Sequence, residues 1–529
     1  MFAEQFILAL IGLLVYYFIY RKKNGPSLPP GPKPLPIVGN LYDLPPPGVP
    51  EYRHWLKLRD QYGPISSVTV LGQPLIIIQD RKAAHDIFDK MWLKTSARPK
   101  FEFADKLCGY EKILTSSPYD SNFRRQRKCI DHQIGSVALA SKFGSIQEVE
   151  ARRLLLRCLN DPHNIHKHFR TEAGAIILKV AYGYSIEPEG VDPLVELIDN
   201  MMTNFSVAFV PLAWVVDTIP ALQHLPDWLP GTGFKKTARQ MKKVLQSAAG
   251  VPYSFVRQQM ANGVNRPSYV SELLEHYGNG NAGDLQIDHE DEEAIIWTAA
   301  LMYGGGADTT VSSLSSFILA MILFPEVQRK AQEEIDRVVG DRLPKFEDQS
   351  KLPYIQAILK ETARWFPVTP IPTSHAADED IIYNGYLIPK GAILVPATWH
   401  ILHDPETYSN PSSFEPERFL APRNEPDARP QAFGYGRRRC PGRWLAESSL
   451  FMTITMMLFA FKISKPVDEN GVETEPQVKE RPGIINHPGN FPCTIVPRSA
   501  RHAELIRSVE LDHPWERSDS SVLDMQATR

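Results

Sequence analysis

The sequence predicts a mostly α fold with small β-sheets, forming one large domain behind an apolar N-terminal helix. Three observations carry that expectation. Most of residues 120–365 places apolar side chains at helical spacing, interrupted by Pro- and Gly-rich loops. Short β-rich runs occur near residues 65–80 and 380–396, each divided by a turn. No linker or internal repeat divides the 529 residues, of which 43% are hydrophobic, so the chain is long enough for a large buried core.

Taken in order, the first element is FILALIGLLVYYFIY, residues 6–20, followed at once by Arg21, Lys22 and Lys23. Residues 1–23 read as a transmembrane anchor, its aromatic residues near the basic end and the bulk of the chain on the cytosolic side. The basic cluster follows the apolar run and no small-residue cleavage site is evident, which argues against a removed signal peptide. Residues 24–50 form a Pro-rich hinge, because PSLPPGPKPLPIVGN fixes φ and removes amide donors.

Residues 51–498 are the globular body. ISSVTVLGQPLIIIQD, residues 65–80, predicts a hairpin, and RKAAHDIFDK a helix after it. A long apolar helix spans about 292–324, and a shorter one lies between Pro353 and Pro367. Asn384-Gly385 marks a turn between strands in DIIYNGYLIPKGAILVP. A last helix, RWLAESSLFMTITMMLFAF, follows Cys440. Residues 499–529 are charged with little apolar periodicity, and are expected to form a loose tail.

A net charge of −3 argues against a nucleic-acid partner. Five widely separated cysteines, odd in number, do not suggest a disulfide framework, and no CxxC pair suggests zinc; a reducing compartment is the simpler reading.

Three segments carry chemistry. Gly304, Gly305 and Gly306 interrupt the long apolar helix, where each costs ~1 kcal/mol relative to alanine. Either a flat ligand lies against that backbone or two helices cross closely there. The hydroxyls of Thr309, Thr310 and Ser312 are expected to compete for backbone carbonyls and open the helix locally. Glu361 and Arg364 share a helix face. Such a pair is usually a solvated surface bridge, but Ile358, three residues before Glu361, sets it toward the apolar side. A buried pair needs further partners, and Arg418 of FEPERF is a candidate third member. Cys440, in FGYGRRRCPG, follows Arg437, Arg438 and Arg439 and precedes a helix start, a setting that lowers a thiol pKa. A metal ligand, a structural cysteine and a nucleophile all remain open from this alone, although three arginines disfavour a simple core position.

Together these residues resemble the cytochrome P450 monooxygenases. Phe433, Gly436, Arg438, Cys440 and Gly442 fit the family's FxxGxRxCxG signature. Glu361 and Arg364 match its ExxR pair, residues 416–419 its PERF stretch, and residues 305–309 its [AG]GxDT helix. With the anchor and PPGP hinge, the resemblance covers about residues 1–498 and is most like microsomal enzymes of filamentous-fungal secondary metabolism.

The resemblance implies heme b (iron protoporphyrin IX), with Cys440 as the thiolate ligand to iron. Arg438, Arg127 and His375 would contact the heme propionates, and Phe433, Gly436 and Gly442 would shape the heme-binding loop. Phe123 stands where the family's WxxxR has tryptophan, which removes one indole donor and leaves heme affinity to the arginines. Asp308 and Thr309 correspond to the family's acid–alcohol pair, which delivers protons to bound O2. Glu361, Arg364 and Arg418 would support the heme-bearing loop.

No GxGxxG fingerprint follows a strand, so electrons from NADPH would arrive through a membrane-bound NADPH–cytochrome P450 reductase. Arg124, Arg125, Lys128 and Arg443 would form its docking patch. The expected location is the endoplasmic reticulum membrane. Residues 201–231 would cover an access channel and dip toward the bilayer. Phe101, Phe103, Leu301, Val368, Ile371 and Ile485 would line a pocket for a lipophilic small molecule, to be hydroxylated, epoxidised, desaturated or cyclised. A heme-thiolate isomerase or dehydratase that needs no O2, and a non-catalytic heme binder, are the competing readings. Retention of Thr309 and Asp308 speaks against both.

Overall fold

The computed structural model describes residues 26–525, except 47, 189, 211–212, 281–284, 468–470, 479 and 481–482. The expected membrane anchor, residues 1–23, lies outside the described residues, as do the first two residues of the hinge. Helices of nine residues or more are numbered α1–α12 in chain order.

The hinge from Pro26 is laid along the first sheet. Ser67 donates to Pro30 O (2.9 Å) from its backbone and to Pro29 O (2.6 Å) from its hydroxyl. Helix α1 (Glu51–Tyr62) buries Tyr52, Trp55 and Leu58 and leads into β1 (Ile65–Val70) and β2 (Gln73–Ile78), the expected hairpin. The predicted helix at 81–90 forms as Arg81–Ala84 continued by a wider π-type turn, His85–Lys90.

The helical body follows: α2 (Ser121–Ile134), α3 (Gly144–Asn160), α4 (Ile165–Tyr182), α5 (Pro193–Ala208), α6 (Gly233–Ala261), α7 (Tyr269–Tyr277), α8 (His289–Leu323), α9 (Pro325–Val339) and α10 (Pro353–Trp365). Helix α8 is the spine. Its first half, including Ile295, Tyr303 and Ala307, packs in one buried cluster with α4–α7. Its second half, including Leu314 and Phe317, packs in another with α3, α9, α10 and the last long helix. Among the described residues it is the one helix long and apolar enough to cross a membrane, but it is mostly buried, as a core helix must be.

The strands return as β3 (His375–Ala376), β4 (Ile381–Tyr383), β5 (Tyr386–Ile388) and β6 (Ile393–Pro396). The mixed sheet has the order β1-β2-β6-β3, with β2 and β6 parallel. Asn384 (φ 50°) and Gly385 (φ 81°) make the two-residue turn between β4 and β5 that their residue types predict. Helix α11 (Arg443–Ala460) then leads into the pair β7 (Phe461–Ser464) and β8 (Thr494–Pro497).

Two expectations are corrected. Helix α8 stays continuous through the glycines: Thr310 Oγ1 donates to Gly306 O (2.8 Å) and Thr309 Oγ1 to Gly305 O without opening the turn. The tail, expected to be loose, forms α12 (Ala500–Asp512), capped by Ser499 and burying Ala503, Ile506 and Val509. Beyond it the Trp515 ring lies over Arg153 (4.9 Å) and Arg157 (4.7 Å). Arg153 donates to Pro514 O (2.7 Å), and Asp519 accepts from Ser185 N (2.8 Å). A three-residue apolar stripe hidden among alternating charges is narrow, and it becomes visible only when α3 supplies the surface that covers it.

Candidate active site

The Cys440 loop folds back on itself. Cys440 N donates to Phe433 O (2.8 Å), closing the first eight residues of the stretch that the FxxGxRxCxG spacing singled out. Gly436 sits at the bend with φ +52°, its amide donating to Asp89 Oδ1 (2.7 Å). A side chain there would start 2.4 Å from Phe88 O, so only glycine fits. Gly442 is the cap of α11, and open space lies where a Cβ would project.

The three arginines ahead of Cys440 diverge. Arg437 lies over the Trp92 ring (4.5 Å), and Arg439 reaches Asp89 (3.3 Å). Arg438 turns inward and donates to Ser96 O (2.8 Å), Leu114 O (3.0 Å) and Ser117 O (2.8 Å). Phe123, the residue in the tryptophan position, presents its ring 4.2 Å from the Arg438 guanidinium carbon. The lost indole donor is thereby replaced by an aromatic face that attracts the cation.

Burial pushes the Arg438 pKa down to about 10, with Asp120 the main opposing charge. Beside it lies Arg98, which belongs to no motif and carries no signal in the sequence. Arg98 donates to Thr115 O (2.8 Å), Thr373 O (2.7 Å) and Ser374 O (2.8 Å). Burial and then the Arg438 charge work against its protonated form. His375, on β3, donates from Nδ1 to Thr95 O (2.7 Å). Its pKa falls well below the ordinary value, first through burial, then through Arg98. Neither arginine forms an ion pair among the described residues. Three cationic or potentially cationic groups thus converge where their direct hydrogen-bond acceptors are carbonyl oxygens.

Arg127, the other expected propionate contact, donates to Arg439 O (2.7 Å) and approaches Asp131 at 3.3 Å. It braces the backbone just before Cys440. Burial raises the Cys440 thiol pKa, against the expectation that nearby cations lower it. The amides of Gly442 and Arg443 and the charges of Arg127 and Arg443 pull the other way and are outweighed.

The three glycines of α8 separate into two roles. A Cβ on Gly306 would meet Ile177 at 2.9 Å, and one on Gly304 would meet Met201 at 2.7 Å, so both mark close helix packing. At Gly305 nothing lies within 4 Å. Asp308, one turn on, pairs with His487 (Oδ1 to Nε2, 3.1 Å) on the loop before β8, a partner that no motif or spacing pointed to.

Among the pocket candidates, Phe101, Phe103, Leu301, Val368 and Ile485 join the large cluster around the first half of α8. Phe103 stacks on Trp214 (3.6 Å, 9°), tying the loop after β2 to the segment beyond α5. Ile371 is not with them; it packs near Trp55 and Val395. Glu361, Arg364 and Arg418 do form one buried cluster. Arg364 donates to Glu361 from Nε (2.7 Å) and Nη2 (2.8 Å), and Arg418 Nε donates to the same carboxylate (3.0 Å). Arg418 Nη1 also donates to Glu425 (2.7 Å), and backbone carbonyls take further donors of both arginines. Of the expected docking patch, Arg124 and Lys128 are exposed, whereas Arg125 is held by Glu290 and Asp291.

Comparison with known proteins agrees with this geometry. The family model for cytochrome P450 matches residues 29–493. Cytochrome P450 monooxygenase CLM2 of Gibberella zeae is 50% identical over 519 residues, covering 98% of each chain. The multifunctional cytochrome P450 monooxygenase af510 of Aspergillus fumigatus is 46% identical, covering 97% of this chain and 96% of its own. O-methylsterigmatocystin oxidoreductase of Aspergillus flavus is 41% identical, covering 97% and 96%. A solved zebrafish cytochrome P450 with abiraterone superposes with a TM-score of 0.66 at 23% identity, covering 85% of this chain and all of that one, a likeness of fold. By family model, by relatives and by fold, this chain belongs to the cytochrome P450 family and is a monooxygenase of that family.

Proposed function

We propose that this monooxygenase holds heme b through Cys440 and oxidises a lipophilic small molecule, with electrons drawn from NADPH through a membrane-bound reductase. The observation that carries the heme placement is a pair of half-buried guanidinium groups that form no ion pair among the described residues. Arg98 donates to carbonyls, Arg438 to carbonyls under the Phe123 ring, and His375 is kept neutral by burial and by their charge. Two propionates supply the missing negative charge, and a carboxylate beside His375 would favour its imidazolium form. The open faces at Gly305 and Gly442 leave room for a flat macrocycle.

Bound heme supplies the activation of O2, with the thiolate ligand favouring O–O scission. The protein's share is orientation and proton supply. Arg127 fixes the carbonyl that precedes Cys440, and the amides of Gly442 and Arg443 point at its sulfur. Thr309 spends its hydroxyl proton on Gly305 O, so its oxygen is free to accept a hydrogen bond from water. Asp308 beside it is partly exposed and would connect that oxygen to solvent. Substrate would be held by the apolar side chains of the large cluster, with few polar anchors.

The membrane assignment rests on residues 1–23 together with a run of exposed apolar residues, Val207, Val210, Val215, Ile219 and Trp228, in the segment expected to face the bilayer. The reductase is assigned because no GxGxxG in the chain follows a strand, the string at 278–283 coming after helix α7. Arg124 and Lys128 offer it exposed cations on the same helix from which Arg127 braces the Cys440 loop. The relatives support a substrate among fungal secondary metabolites, and O-methylsterigmatocystin, for which one of them is named, is an example of the class. The test is the carbon monoxide difference spectrum of the reduced, membrane-bound protein. The red-shifted Soret band of a thiolate-ligated heme is expected, and Cys440→Ala should abolish it together with bound heme. A heme content unchanged in Cys440→Ala would refute the assignment.

A further inference from the structure

We infer that His487 is the positioning residue through which solvent protons reach Asp308. The inference rests on the assignment of Asp308 as the proton-delivering acid. His487 Nε2 lies 3.1 Å from Asp308 Oδ1, and the two side chains are 21% and 22% exposed, so the pair is half-sheltered and still meets water. The loop that carries His487 is fastened on both sides. Asn486 N donates to Val368 O (2.7 Å), and Ser312 Oγ on α8 donates to Asn486 O. Ser312 is one turn beyond Asp308, so the fastening sets the imidazole against the carboxylate.

The charges facing this pair come from two further helices. Asp199 on α5 interacts with both Asp308 and His487, and Arg170 on α4 approaches Asp199 at 3.9 Å; Glu196 lies one turn earlier on α5. Burial raises the Asp199 carboxyl pKa, with Asp308 adding to the rise and Arg170 opposing it. Imidazole is the side chain that gains and loses a proton near neutral pH, which an arginine at this position does not do. In the transfer, the Nε2–H bond of imidazolium breaks and an O–H bond forms on Asp308 Oδ1. That leaves neutral imidazole and a carboxylic acid, and the imidazole regains its proton from water.

The test uses full-length holoenzyme and the variants His487→Gln, His487→Arg and Asp308→Asn. Without turnover, 15N-histidine spectra of the carbon monoxide-inhibited reduced enzyme follow the protonation of each imidazole. The resonance missing in His487→Gln identifies His487, and Asp308→Asn should shift its midpoint to lower pH, because a carboxylate favours imidazolium. In turnover, NADPH oxidation with reductase and O2 should slow several-fold in both His487 variants and show a larger solvent deuterium effect. Its dependence on pH through the His487 midpoint should vanish in His487→Arg. An unmoved midpoint in Asp308→Asn, or unchanged isotope effects in both His487 variants, overturns the inference. If Asp308→Asn itself leaves the isotope effect unchanged, the assignment of Asp308 fails, an outcome distinct from failure at His487 alone.

Discussion

Replacing each of the three glycines of α8 by alanine should separate helix packing from ligand space. Alanine stabilises a helix interior by ~1 kcal/mol over glycine, so each substitution begins with the same gain. At Gly306 the new methyl would sit 2.9 Å from both Cγ1 and Cδ1 of Ile177, well inside the optimum of about 3.5–4.0 Å. Ile177 is buried within α4 and its Cγ1 cannot swing aside, so an overpacking cost of ~1–3 kcal/mol leaves Gly306→Ala neutral to ~2 kcal/mol less stable. At Gly304 the obstacles are Met201 Cε and Met202 Sδ, mobile parts of flexible side chains, and much of the helix gain survives. At Gly305 nothing opposes the methyl, so the full gain is expected. Thermal unfolding followed by far-ultraviolet ellipticity at one scan rate should rank the midpoints Gly305→Ala highest and Gly306→Ala lowest. Gly305→Ala should also change the spectral response to bound ligands at unchanged heme content. A midpoint for Gly306→Ala at or above that of Gly305→Ala would refute the division of roles.

Three further outcomes are expected. Gly436→Ala sets a Cβ 2.4 Å from a backbone oxygen at φ +52°, so purified protein should carry far less heme at similar helix content, read by pyridine hemochrome and circular dichroism. Truncation after Arg498 removes α12 and the Trp515 contacts, uncovering α3, and should lower the thermal midpoint and raise the fraction lost to aggregation. Asp105 is buried with its pKa raised to about 7, chiefly by desolvation, against about 4 in an unfolded chain. The folded state binds the extra proton in that window, so stability should fall as pH rises from about 4 through about 7, and Asp105→Asn should flatten that slope. A slope that is unchanged in the variant would assign it elsewhere.

Local chemistry made much of this legible before any coordinates. The β4–β5 turn follows from Asn384-Gly385 alone, because few other pairs take positive φ twice. The Cys440 loop follows from Phe433 to Gly442, where Gly434 and Gly436 allow the positive-φ bends and Pro441 suits the helix start after the cysteine. The Glu361–Arg364 pair was readable from helical phase, whereas Arg418 joins it from 54 residues beyond Arg364 and needed the family's pattern. What escaped depends on tertiary partners. Arg98 sits in an ordinary loop and matters only because β3 and the Cys440 loop close around it. His487 becomes a partner of Asp308 only once the loop before β8 is fastened to α8. Helix α12 looked like a charged tail because its apolar stripe is three residues wide.

The arginine run before Cys440 shows how the same charges serve fold and site. Three adjacent guanidinium groups repel, and the loop answers by sending them three ways: to the Trp92 ring, to Asp89 and inward to three carbonyls. The inward one, Arg438, makes no ion pair among the described residues, and it lies beside Arg98, which makes none either. A fold that needed only stability would gain by neutralising either residue, since an unpaired buried charge is among the costliest things a core can hold. Carbonyl oxygens and the Phe123 face hold these cations in place without cancelling them. The departure from tryptophan at position 123 leaves an aromatic face that orients the cation, and on the proposed reading the bound heme propionates complete its neutralisation.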